Sequence, residues 1–452
     1  MFAATGDLIP YYGLYALLFA DHGFGPGQIS LLLALWSATA FVCEVPSGAW
    51  ADTVSRRGLL IANGLLMTAG FVLWTAAPSY AGFAIGFVLW GLAGALRSGT
   101  FEALLYDELT ARGESRAYAR VLGYTRSGSE LSAVIAILAA TPLYLWGGYE
   151  LVGWASVGCA VLHTVLARSL PAAPKSVSAA EVGDLDEDDS GEPAVLTPSP
   201  RPATAEPAGA GGPDGSGTFR RYLRMLRTGV GEAVRVRTVR YGVALGALLY
   251  GITAFDEYFG LVAGEAGVAT GVVPVLVGVT VLGSLAGSLL AGRTEAMSAR
   301  TMSWALSGAG VLFGSGALVA GAAADRPGAA YALTALGFTA LAAAYGITYN
   351  AGIIAEARLQ DAITGPARAT VMSVVGLLEE LVALAVFGFV AVVTLWLPMS
   401  STIAALGLAL VAIGLLTPSW LPSRSAPEVP APAPPGDTAP GSLDSAPGDD
   451  LP

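Results

Sequence analysis

Positive charge in this chain is confined to alternate gaps between its apolar segments. Of the 23 Lys and Arg residues, all but Arg97, Arg126 and Arg326 lie in or at the edge of the connections after the second, fourth, sixth, eighth and tenth apolar segments, or in the tail after the twelfth. Basic loops of a polytopic membrane protein are retained on the cytoplasmic side. The alternation therefore predicts an even number of membrane spans, with both termini on the cytoplasmic side of a plasma (inner) membrane.

The segments have the length this requires. A chain of 452 residues that is 54% apolar and 13% charged, with mean hydropathy +0.62, has too little polar surface to coat a soluble globule. Stretches of about 20 apolar residues, the span of a bilayer, predict helices near 2–20, 29–51, 58–76, 80–106, 117–146, 149–169, 239–263, 270–292, 300–322, 328–351, 366–396 and 400–421. The first opens without a charged leader or a small-residue cleavage site, which predicts a retained helix rather than a removable signal peptide.

The net charge of −11 arises mainly in a linker and a tail, so it says little about a binding face and argues against nucleic acid. Cys43 and Cys159 lie inside apolar helices and read as small packing residues, with no disulfide expected. No phosphate-binding loop, metal-ligand spacing or nucleophile–base arrangement is present. The expectation is a protein that is not an enzyme, with no catalytic residue, no cofactor and no metal. His22 and His163 stand in no ligand-like cluster and receive no role.

Five parts follow along the chain: a six-helix bundle over 1–170; an acidic linker rich in Pro and Ala over 171–218, expected to be disordered on the cytoplasmic side; a basic amphipathic helix over 219–237; a second six-helix bundle over 238–421; and a disordered tail over 422–452. In the third part Phe219, Tyr222, Leu223, Leu226 and Val230 recur at helical spacing with Arg220, Arg221, Arg224 and Arg227 on other faces, as suits an anionic lipid surface. The bundles also resemble each other. Thr100–Ser132 aligns without gaps on Asn350–Val382 at an offset of 250, pairing Glu130 with Glu380. Parallel repeats of this kind place a substrate site at their interface.

Charges within the spans select the helices that line such an interface, because each costs about 2.5–3.5 kcal/mol at a helix centre and must face water or a partner. They are Asp7 in helix 1, Glu44 in helix 2, Arg97 and Glu102 in helix 4, Arg126 and Glu130 in helix 5, Asp256 and Glu257 in helix 7, and Glu379 and Glu380 in helix 11. Helices 3, 6, 9 and 12 are uncharged within their cores and are expected against lipid. Arg126 and Glu130 are four apart on one helix face. With Arg97 and Glu102 they predict a four-membered polar network, either a proton or substrate relay or a static brace. In the adjacent pairs Asp256-Glu257 and Glu379-Glu380 the side chains diverge by about 100°, so one of each pair is expected to face the cavity. Tyr11, Tyr15, Tyr250, Tyr258, Tyr345, Tyr349 and Asn350, with Asp7 and Glu44, are the candidate substrate contacts.

Between helices 2 and 3 stands Gly48-Ala-Trp-Ala-Asp52-Thr-Val-Ser-Arg56-Arg57. This run resembles the signature G-x-x-x-D-[RK]-x-G-[RK]-[RK] of the major facilitator superfamily: Gly48, Asp52, Arg56 and Arg57 match, and Thr53 and Ser55 depart. Glu44-Val-Pro46-Ser, Ser98-Gly-Thr-Phe-Glu102-Ala-Leu-Leu-Tyr106-Asp107 and Asp256-Glu257-Tyr258-Phe259 look like a bacterial branch of that superfamily. The resemblance covers residues 1–421. It implies twelve helices in two bundles related by a parallel pseudo-repeat, the MFS fold, and a cytoplasmic latch in which Asp52 engages the start of helix 11 when the protein opens outward. Arg56 and Arg57 are expected at the lipid headgroups. Arg97 loosely matches an arginine linked in this superfamily to proton coupling. Helix 5 lacks the Gly-Pro step of drug/proton antiporters.

The reading is an all-α membrane protein, a monomeric secondary active transporter that moves a small organic solute by alternating access. Proton-coupled export leads. Proton-coupled or facilitated uptake of a sugar or metabolite is the alternative, and a receptor on the same scaffold is a third class. The partners expected are the lipid bilayer, the solute and protons.

Overall fold

The computed structural model describes residues 1–171, 236–363 and 368–423, with all side chains there except those at 45, 46, 48, 49, 52, 53, 116, 119 and 368–370. Every regular element in them is helical. Ten stretches are long and apolar enough to cross a membrane. One of these, Arg120–Arg168, holds 49 residues, about 74 Å of straight helix against a hydrocarbon core of about 30 Å. It turns back at Gly147-Gly148, where Gly148 takes φ +62, and so supplies helices 5 and 6. The first segment is cut into pieces too short to qualify alone: Phe2–Gly6, Pro10–Gly13 and Tyr15–Asp21. Twelve spans result.

The remaining helices are 2 (Pro26–Thr53), 3 (Arg56–Ala76), 4 (Tyr80–Arg97 then Thr100–Ala111), 7 (Arg237–Gly251, Ile252–Tyr258 and Phe259–Glu265), 8 (Val273–Thr294), 9 (Ala299–Gly321), 10 (Ala330–Ala362), 11 (Arg368–Val393) and 12 (Met399–Trp420). Three spans expected to be continuous are interrupted. In helix 1, Pro10 lacks an N–H and its ring displaces the preceding turn, leaving Asp7 at the end of the first piece. In helix 4, Gly99 adopts φ +65 between the two pieces. In helix 7 the chain tightens to a 3-10 run over Ile252–Tyr258, which carries Asp256 and Glu257. Helix 10 continues beyond the expected 351 to Ala362 and thereby includes Glu356 and Arg358.

Helices 1 and 7 share more than their breaks. Tyr15–Asp21 and Phe259–Glu265 are seven-residue helices ending in an acid, each followed two residues later by a left-handed glycine, Gly23 at φ +86 and Gly267 at φ +76. Asp21 accepts from the Tyr149 hydroxyl at 2.6 Å and Glu265 from the Ser400 backbone N–H at 3.2 Å. Each acid thus ties the first helix of its bundle to the start of the sixth.

Within the first bundle helix 3 packs on helices 4 and 6; within the second, helix 9 packs on 10 and 12, and helix 8 on 10. Contact between the bundles is made by helix 2 with 11, helix 5 with 8, and helix 1 with 7 and 8. Helices 3, 6, 9 and 12 take no part in these pairings and sit on the outside, as the distribution of charge predicts. Helices 8 and 10 approach through glycine: a Cβ at Gly287 would stand 2.1 Å from the Gly346 carbonyl oxygen. Where no solvent drives helices together, such close backbone packing supplies the association.

The linker over 171–218, nearly all of the amphipathic segment over 219–237, the turn before helix 11 and the tail beyond 423 lie outside the described residues.

Candidate functional site

The seam between the bundles is closed at one end. Ser30 on helix 2 hydrogen-bonds the Tyr258 hydroxyl on helix 7 at 2.7 Å, and Ser37, two turns further along the same face, donates to the Glu380 carboxylate on helix 11. Around them backbones and small residues meet. A Cβ on Gly27 would lie 3.3 Å from the Ala391 carbonyl oxygen, one on Gly13 3.0 Å from Pro274, and one on Gly278 2.8 Å from Leu138. All these contacts lie between mid-membrane and the end bearing the connections near 22–25, 147–148 and 266–269. Towards the opposite end, where the 172–235 segment attaches, Gly123, Ser127 and Glu130 on helix 5 and Ser373 and Gly376 on helix 11 are exposed. Polar and glycine positions on inward-turned faces are thus left open, so the seam opens towards the linker end.

At the head of that opening a cavity of about 30 Å³ is lined by Tyr12, Tyr15, Asp256, Glu257 and Gly260, from helices 1 and 7, together with Val277 of helix 8. The interruptions of helices 1 and 7 bring these groups together. Asp256 accepts from the Tyr345 hydroxyl of helix 10 at 2.8 Å, whereas the Glu257 carboxylate has no hydrogen-bond partner among the described residues. Tyr250 donates to Glu356 at 2.8 Å. Tyr349 stands edge-on to Tyr250 and Tyr345 with centroids 6.0 and 6.1 Å away. On helix 11, Glu380 crosses the seam to Ser37, and the Glu379 backbone oxygen lies against Gly251 of helix 7, 2.6 Å from where a Cβ would stand.

The structure adds Asp7 to the residues of the expected network. Arg97 pairs with Asp7 at 3.2 Å, with side chains 32% and 25% exposed, because Gly99 ends the first piece of helix 4 beside the end of helix 1's first piece. Asp7, expected to contact the solute, is thereby engaged. Glu102 lies in the first turn beyond that break, and Arg126 and Glu130 are exposed one turn apart on helix 5. Glu44 accepts from the Ser98 hydroxyl at 2.7 Å, bridging helices 2 and 4.

Several expected solute contacts point elsewhere. The Tyr11 hydroxyl bonds Thr75 at 2.8 Å inside the first bundle, and its neighbour Tyr12 lines the cavity instead. Tyr258 is fully buried in the closed end of the seam. The Asn350 amide bonds the Gly287 carbonyl and the Thr294 hydroxyl, both at 2.9 Å, and holds helix 8. Tyr15 does line the cavity.

In the motif after helix 2, Arg56 is not at the headgroups. It is 3% exposed and forms a buried ion pair with Asp107 of helix 4. Arg57 is half-buried beside it. The Asp52 side chain, the side chains at 368–370 and the residues 364–367 before helix 11 that the latch needs lie outside what is described.

Sequence reading missed Glu356, Asp107, Tyr12 and the two serines. Ser30 and Ser37 are seven residues apart at the two ends of an apolar run, a hydroxyl stripe that periodicity would have shown. Glu356 was lost by ending helix 10 too early. His163, given no role, is buried between Asn63 at 3.0 Å and Thr5 at 3.1 Å and stacks on Phe2.

A comparison with curated protein sequences finds no match. Among solved structures, a D-xylose-proton symporter superposes with a TM-score of 0.61 at 15% identity, covering 93% of this chain and 97% of the symporter. At that identity the likeness speaks to the fold. The model of the Major Facilitator Superfamily matches residues 1–383. With twelve spans in two bundles, four helices held outside and a charged seam between, the chain belongs to the Major Facilitator Superfamily.

Proposed function

We propose that this multi-pass membrane protein is a secondary active transporter, driven by protons, that moves a small organic solute by rocking its two bundles about the seam. The observation that carries this reading is the seam itself: a carboxylate-lined opening closed at one end by the Ser37–Glu380 and Ser30–Tyr258 contacts. Carboxylates in a low-dielectric cleft exchange protons with water on the open side. Protonating Glu380 would change a bond that spans both bundles, which couples a proton to their relative position.

The basic loops put the linker end and both termini in the cytoplasm of a plasma-membrane protein, so this arrangement is open inward. Export is the leading direction. Proton-coupled uptake of a sugar or metabolite is the second reading, favoured by the structural likeness to a protein described as a D-xylose-proton symporter. Purified protein in proteoliposomes under an imposed pH gradient tests both. Saturable flux against the proton gradient supports export, flux with it supports uptake, and flux indifferent to pH overturns coupling.

A further inference from the structure

The transport reading leaves the chemistry of the solute open, and three features of the seam narrow it. The first is charge. Glu130, Asp256, Glu257, Glu356, Glu379 and Glu380 are exposed or half-buried on helices 5, 7, 10 and 11. Against them, the basic residues within the spans are Arg126, Arg97 and Arg358; Arg97 is met by Asp7, and Arg358 is buried on the Glu295 and Met297 backbone carbonyls. An anionic solute would enter a field of its own sign.

The second feature is a shortage of amides. The whole chain has two Asn and two Gln, at 63, 350, 28 and 360. Asn63 is engaged with the Ala93 carbonyl and His163, Asn350 with helix 8, and Gln28 with the Gly25 N–H. Amides recognise a polyhydroxylated neutral solute by donating and accepting together; the cavity lining holds none, and only the Tyr12 and Tyr15 hydroxyls there combine the two roles.

The third is the cavity wall. The Glu257 carboxylate enters from the second bundle without a hydrogen-bond partner among the described residues, and Tyr12 and Tyr15 line the same cavity from the first. The Tyr12 ring stacks on Trp90 at 5.6 Å, and Trp90 lies 5.3 Å from Trp36, so an aromatic surface runs from the cavity into the first bundle. A carboxylate and tyrosine rings lining one cavity form a receptor for a positive charge on an apolar body.

We infer that the solute is an organic cation, an amine or quaternary ammonium with an apolar body, whose charged head sits between Glu257 and Tyr12. The body extends into the open seam. Because Glu257 belongs to one bundle and Tyr12 to the other, such a head touches both moving parts, which is what a carried solute must do to bias them. This rests on the transport reading for its consequence but not for its binding test.

The test measures equilibrium binding to the purified full-length chain of benzyltrimethylammonium, of its uncharged isostere neopentylbenzene, and of D-xylose. Saturable binding of the cation is expected, with the isostere weaker by about tenfold or more. Glu257→Gln should weaken the cation by about tenfold and leave the thermal midpoint of the unliganded protein near wild type. Should that variant misfold, Tyr12→Leu against Tyr12→Phe gives the same answer, the first losing affinity and the second keeping it. Equal binding of the isostere, binding of D-xylose without the cation, or no saturable binding of the cation at millimolar concentration overturns the inference. Counterflow of benzyltrimethylammonium in proteoliposomes separates the two readings: binding without flux overturns the carrier and leaves the site, whereas flux of a sugar without cation binding does the reverse.

Discussion

Ser37 on helix 2 donates a hydrogen bond to the carboxylate of Glu380 on helix 11, joining the two bundles through one ionisable group. The partner residues come from opposite halves of the chain, 343 positions apart, and meet where the seam changes from closed to open. A hydrogen bond to a charged group contributes about 1.5–3 kcal/mol. That is enough to shift a two-state equilibrium about tenfold or more. Ser37→Ala is therefore expected to favour the state open at the far end. Cysteines placed at positions 27 and 391, where the backbones nearly touch, should react faster with a water-soluble maleimide in the Ser37→Ala background; unchanged reactivity would dismiss the contact as a latch.

Glu380→Gln keeps a hydrogen-bonding group of the same size but cannot exchange a proton. Flux driven by a pH gradient should drop about tenfold or more, with membrane insertion and solute binding retained. Glu130→Gln, on the repeat-related position, should do the same. Full pH-driven flux in both variants would remove these two residues from the coupling scheme.

Asp7 and Arg97 form the ion pair of the first bundle, each side chain about a quarter to a third exposed. Solvent screening limits such a pair to about 0–1 kcal/mol of stability. Asp7→Asn should consequently leave the melting temperature within a few degrees while lowering pH-driven flux. A large loss of thermal stability with normal flux would make the pair a brace instead.

Arg56 and Asp107 present the opposite case. Both are buried, and removing one partner breaks a charge pair in low dielectric, a loss of about 3–5 kcal/mol. Arg56→Ala and Asp107→Ala should each sharply lower the detergent melting temperature, and the double variant should lose less than the two losses added. Simple additivity would show that the residues do not act on each other.

Gly287 tests the packing of the second bundle. Any side chain there meets the Gly346 carbonyl, so Gly287→Leu should push helices 8 and 10 apart and destabilise the fold by about 1–3 kcal/mol or more. Gly292, on the same helix with open space around its Cβ position, is the control. Equal tolerance of leucine at both sites would contradict the close approach.

The sequence by itself determined the number of spans and which helices surround the seam, and its basic loops carry the proposed sidedness. Each of these is a one-dimensional property: apolar length against bilayer thickness, basic loops in alternate gaps, and spans with or without charges. Glu380, Glu257 and Asp256 were legible as members of a polar seam because burying a charge in lipid is costly wherever the helix stands. Partners were not legible. Arg97 meets Asp7 because breaks at Pro10 and Gly99 place two helix ends side by side, and Tyr12 takes the place expected of Tyr11 because a 3-10 turn rotates the chain away from α-helical register. Only the tertiary structure decided which carboxylate is tied across the bundles, which is held by a tyrosine and which stands open to the cavity, since those outcomes depend on distances between helices far apart in the chain, and no local pattern encodes them.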